Sequence, residues 1–103
     1  MPSIAQLEKL LAADPNDPFV LYALAQEHAK HGATDTAVDF FDRCLAADPT
    51  YLYAYYHKAR VQLEAGRADD ARAALRTGIA AATQAGDAKA LNELRALALD
   101  AED

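Results

Sequence analysis

The sequence predicts an all-α protein built from antiparallel helix-turn-helix pairs stacked side by side. Three observations predict it. Alanine dominates an apolar content of 52%, while aromatics are 8% and tryptophan is absent; alanine is the strongest helix former and lets helices approach closely. The pentapeptide Leu11-Ala12-Ala13-Asp14-Pro15 returns unchanged as Leu45-Ala46-Ala47-Asp48-Pro49, 34 residues later. The residues that stop and start helices recur in the same phase, and strand-type alternation is sustained nowhere.

The same 34-residue shift pairs Tyr22 with Tyr56, Ala25 with Ala59, Gly32 with Gly66, Ala37 with Ala71, and Phe41 with Leu75, with Leu7 one period earlier. Taken in order, the segments predict six helices, near 3–13, 18–31, 34–47, 52–65, 68–84 and 88–101. The first ends at Asp14-Pro15, because proline lacks the amide N–H and disfavours helix in the residue before it. Asp17 is placed to cap the second helix, with Pro18 at its first position. Gly32 and Gly66 mark tight turns in which a left-handed backbone carries no Cβ penalty. Thr34 and Asp69 are the expected caps of the third and fifth helices. Asp39 and Arg43 are spaced to pair on the third helix, at a gain of a few tenths of a kcal/mol at most. Connections of a few residues make consecutive helices antiparallel neighbours.

A chain of 103 residues is one domain, and its core is thin. The net charge of −6 argues against a nucleic-acid binder, which needs basic surface. That charge is uneven. Residues 1–50 carry eight acids against three bases (−5), residues 51–86 three against five (+2), and residues 87–103 five against two (−3). A single cysteine, Cys44, excludes an internal disulfide and fits a reducing compartment; its alanine-like place in the repeat reads as a small buried hydrophobe. No apolar run approaches the roughly 20 residues of a membrane span, and the N-terminus lacks the basic and apolar regions of a signal peptide. The expected location is the cytoplasm.

Catalytic and cofactor chemistry finds no support in the residues. His28 and His31 lie three apart on a helix but have no cysteine or carboxylate at supporting spacing, so no metal site is expected. Cys44 has no base partner, Asp69-Asp70 reads as a charge pair at a helix start, and no phosphate-cradling glycine loop occurs. Neither an enzyme nor a cofactor is expected.

With the repeat laid out, the chain resembles the tetratricopeptide repeat family, whose period is about 34 residues with a W-x2-L-G-x2-Y…A-x3-F…P pattern. In the first unit those places hold Leu21, Leu24, Ala25, His28, Ala37, Phe41 and Pro49. In the second, Tyr55, Ala59, Ala71 and Leu75 fit, but Lys58 and Gln62 take usually apolar places and Thr83 stands for the proline. The resemblance implies a superhelical stack organised as a half repeat (3–15), repeat 1 (18–49), repeat 2 (52–84) and a capping helix (87–103). The cap would cover the end of the stack.

The resemblance also implies a concave groove, lined by the first helix of each pair, that receives a peptide or partner helix. Helical spacing shows which residues share a face: Phe19, Tyr22, Ala23, Gln26 and Lys30 on one helix, and Tyr53, Tyr56, His57, Arg60 and Glu64 on its counterpart. The expected partner-binding residues are therefore Phe19, Tyr22, Gln26, Lys30, Tyr53, Tyr56, His57 and Arg60. Tyrosine and arginine are the types that dominate interface hot spots; the alternative is that the aromatics pack against one another. Some family members clamp a C-terminal carboxylate with lysines, arginines and asparagines in this groove. Here the matching places hold Tyr22, Gln26, His57 and Arg60, with Tyr53 for a lysine, so that clamp is absent, while Arg60 and Lys30 favour an acidic ligand. The expected function is a non-catalytic protein–protein interaction module. The alternative is a self-assembling, homo-oligomeric scaffold, joined through its opposite charges or open repeat ends.

Overall fold

The computed structural model describes residues 2–102. Six helices follow one another: α1 (Ile4–Ala13), α2 (Pro18–Lys30), α3 (Thr34–Ala47), α4 (Leu52–Glu64), α5 (Ala68–Ala85) and α6 (Ala88–Ala101). Each lies within one residue of its predicted span, and no strand forms among the described residues. Neighbours in sequence are neighbours in space, so α3 is packed between α2 and α4, and α5 between α4 and α6. None of the described helices is long and apolar enough to cross a membrane.

The punctuation works as the residues dictate. At both copies of the pentapeptide the aspartate ends its helix in nearly the same extended conformation, Asp14 at φ −143°, ψ 91° and Asp48 at φ −146°, ψ 93°. Extended backbone is what a following proline imposes. Asp48 Oδ1 then accepts from the Thr50 N–H (3.0 Å) and hydroxyl (2.6 Å), fixing the turn. The Asp17 carboxylate accepts the Phe19 N–H at 3.0 Å, with Pro18 at the first helical position. At the other turns Gly32 and Gly66 adopt φ of 73° and 78°. Their amides close on Ala29 and Leu63, and the next amides reach back to His28 and Gln62. This is the Schellman arrangement that a left-handed residue permits.

Three local expectations are corrected. Thr34 and Asp69 do not cap α3 and α5; Ala33 and Arg67 hold the cap positions, without a side-chain hydrogen bond. Asp69 lies inside the first turn and pairs with Arg72, where its charge still opposes the helix dipole. Asp39 and Arg43 do not pair. Arg43 instead lies over the Phe40 ring, 5.2 Å from its centre, and reaches the Pro15 carbonyl at 3.4 Å; an aromatic face and a carbonyl together outbid one exposed carboxylate.

The core runs the length of the stack. Between α2 and α3 it holds Leu21, Ala25, Ala37, Phe41 and Cys44, all buried. Between α4, α5 and α6 it holds Tyr55, Ala59, Ala71, Leu75 and Leu94. The Tyr55 hydroxyl donates to the Pro49 carbonyl at 2.9 Å, so its one polar atom is satisfied. Of the two polar residues at usually apolar places, one has a partner that explains it. Lys58 crosses to Asp42 on α3 at 2.6 Å. Gln62 is only 5% exposed, and its carbonyl oxygen has no partner.

Candidate protein-binding groove

One cavity of about 620 Å³ opens on the face shared by α1, α2 and α4. It gathers Phe19, Tyr22, Gln26 and Lys30 from α2 and His57 and Arg60 from α4. Their convergence follows from the repeat. Positions four apart on α2 (Tyr22, Gln26, Lys30) form one row, and the 34-residue shift sets Tyr56 and Arg60 in the same register on α4.

Tyr22 is the hub. Its ring lies 4.8 Å from Tyr51, 6.1 Å from Phe41 and 5.9 Å from His57, the last two edge-on. The Gln26 amide donates to its hydroxyl at 3.1 Å. Burial, then the neighbouring Tyr51 and Cys44, push the Tyr22 phenol up to about 12, so it stays neutral. Burial, reinforced by Arg60, lowers the His57 pKa below 6.5. A neutral imidazole therefore stands beside Tyr22, and its buried Nδ1 has no partner.

The cations are less free than the sequence suggested. Lys30 pairs with Glu27 at 3.1 Å, and Arg60 lies 3.8 Å from Glu64. The groove thus offers forked hydrogen-bond donors more than net positive charge, which tempers the expected preference for an acidic ligand.

Tyr53 and Tyr56 stand outside the cavity. Tyr53 faces α6, where desolvation and then the negative charge of the Glu93 carboxylate raise its pKa. Tyr56 is half-buried against the α4–α6 core, with its ring edge-on to His57 at 5.2 Å. Sequence reasoning missed the other wall. Leu7 and Leu10 of α1, Val20 of α2 and Val61 of α4 also line the cavity. A signal for them was present in the 34-residue shift, which sets Leu7 and Leu10 in register with the core residues Phe41 and Cys44.

Other candidate chemistry lies elsewhere. His28 stacks on Phe40 at 5.4 Å, His31 is exposed, and Cys44 is fully buried with its thiol pushed up to about 11 by that burial. A thiol held protonated in this way is a poor nucleophile.

The family model described as tetratricopeptide repeat matches residues 28–98. The chain belongs to the tetratricopeptide repeat family. A tetratricopeptide repeat domain protein from Salinibacter ruber, solved in solution, is 42% identical over 86% of this chain and 90% of its own, with a TM-score of 0.78. U-box domain-containing protein 70 of Oryza sativa subsp. japonica is 39% identical over 64% of this chain. This tetratricopeptide repeat chain matches only 8% of the length of that rice protein. The TPR2B domain of yeast Sti1, solved in complex with pHsp70, shares the fold at a TM-score of 0.89 and 18% identity, over 96% of this chain and 79% of that one. Tetratricopeptide repeats are protein–protein interaction modules, and this chain has that fold.

Proposed function

We propose that this protein is a non-catalytic interaction module that takes a peptide or a partner helix into the groove between α2 and α4. The observation that carries the reading is a single cavity bringing Phe19, Tyr22, Gln26, Lys30, His57 and Arg60 together from two helices. Its apolar floor supplies contact area, while Gln26 and Arg60 supply directional donors at the rim, the mixture from which binding hot spots are made. The complex of the Sti1 TPR2B domain with pHsp70 is a precedent for a partner on this fold, without naming the partner here.

Gln26→Ala combined with Arg60→Ala tests the reading. In the double variant, capture of a protein partner from native lysate should be lost, while the melting temperature stays within a few degrees, because both side chains reach the surface. Equal recovery by wild type and variant, at equal stability, would move the binding surface elsewhere.

A further inference from the structure

On the side of α4 turned away from the groove, α3, α4 and α5 enclose a cleft of about 300 Å³ that shares no lining residue with the groove cavity. Lys58 and Gln62 come from α4, Asp42 from α3, and Asp70, Ala74 and Thr77 from α5. The 34-residue shift pairs Gln62 with His28, Ala74 with Phe40 and Thr77 with Arg43 of the first unit. There the chain packs all three places itself. The Phe40 ring stacks on His28 at 5.4 Å, and the Arg43 guanidinium lies 5.2 Å from the centre of the same ring. In the second unit alanine stands for the ring and threonine for the arginine, so a flat body and a cation give way to an open cleft.

The groups lining the cleft select what fits it. Gln62 is 5% exposed, and its carbonyl oxygen is buried without a hydrogen-bond partner. Buried polar atoms are nearly always paired, so this oxygen calls for a donor. Thr77 donates its hydroxyl to the Ala73 carbonyl at 3.2 Å, which leaves its oxygen as a further acceptor. Asp42 and Asp70 set two carboxylates against the single ammonium of Lys58. Lys58 is held by Asp42 at 2.6 Å, whereas Asp70 makes no ion pair among the described residues. The cleft is therefore rich in acceptors and carries one uncompensated negative charge. We propose that it receives an arginine side chain of a partner protein. The stem and the flat guanidinium lie beside Tyr55 and Ala74, at the place the Phe40 ring takes in the first unit, and the N–H groups donate to the Gln62 oxygen and to Asp70 at the rim. Arginine suits the site better than lysine, because its donors form a planar fork and it is more weakly hydrated than an ammonium.

The test titrates the whole isotope-labelled chain with Nα-acetylarginine N-methylamide, followed by NMR that includes the Gln62 side-chain amide. Saturable shifts are expected at Lys58, Gln62, Asp70 and Thr77, with half-saturation in the millimolar range open to a single side chain. The citrulline analogue, alike in shape but uncharged, should bind at least about tenfold more weakly, because it loses the charge-assisted bonds. Gln62→Leu places an apolar residue where the repeat usually has one, so the fold is kept while arginine binding falls about tenfold. Asp70→Asn, at an exposed position, should weaken binding severalfold, and Ala74→Phe, which copies the first unit, should abolish it. Gln26→Ala with Arg60→Ala should leave it unchanged, which separates this site from the fate of the groove reading. Absence of saturation, equal binding of the citrulline analogue, wild-type affinity in a folded Gln62→Leu or Asp70→Asn variant, or shifts centred on Tyr22 and His57 would each overturn the proposal.

Discussion

At the scale of the residue, the tightest constraint is Gly78, in the middle of α5. A Cβ there would sit 2.7 Å from Tyr55 Cβ and 3.0 Å from Cγ, atoms close to the α4 backbone that cannot swing aside. Alanine would gain about 1 kcal/mol of helix propensity yet force α4 and α5 apart. Gly78→Ala should therefore destabilise by about 1–2 kcal/mol net, read from denaturant midpoints. His57 makes a different prediction. Its folded pKa lies below the ordinary 6.5 because burial, and then Arg60, disfavour the cation. Between the two values the unfolded chain binds more protons than the folded one, so stability falls as the pH drops below about 6.5. Melting curves from pH 8 to pH 5 should show this loss, and His57→Gln should reduce it; an equal acid response in the variant would remove His57 as its cause.

At the scale of the element, helix positions were legible because their signals are local. Asp-Pro, Asp17-Pro18 and the two glycines fix helix ends whatever packs around them. Gly66→Ala should cost about 1 kcal/mol, since Gly66 sits at φ 78° with open space around its missing Cβ, a conformational penalty rather than a clash. Leu94→Ala on α6 should cost more, about 3 kcal/mol, because that side chain is fully buried against α5 and α4 and leaves a cavity. Thermal or denaturant unfolding of both variants would rank the two effects. The misread elements failed where a tertiary partner competes with a neighbour along the chain. Arg43 is drawn from Asp39 to Phe40 and Pro15, and Lys58 takes an apolar place because Asp42 waits on the adjacent helix.

At the scale of the molecule, the repeat made the stack readable from one chain, but only half of the groove. Face periodicity grouped the α2 and α4 residues on one expected surface, yet it could not say where α6 would lie. That position removes Tyr53 and Tyr56 from the cavity, one to Glu93 and the other to the core. Nor did it mark α1 as a wall, since Leu10 looks like any apolar helix residue until its repeat mates are seen to be buried. The same arrangement predicts uneven stability. Helix α1 has one helix neighbour and a single buried residue, Leu7, so its amides should exchange fastest among the six helices, with those of α4 and α5 slowest. Protection of α1 equal to that of α5 would contradict this.

The near-identical backbone at Asp14 and Asp48 makes the chain a ruler with a fixed graduation. Residues 17–50 begin just after one such mark and end just after the next, so a second copy inserted behind Thr50 would meet the junctions already used on either side. Such a chain gains two helices and a longer concave face without a new kind of contact. Length, in this architecture, is a property that duplication alone can change.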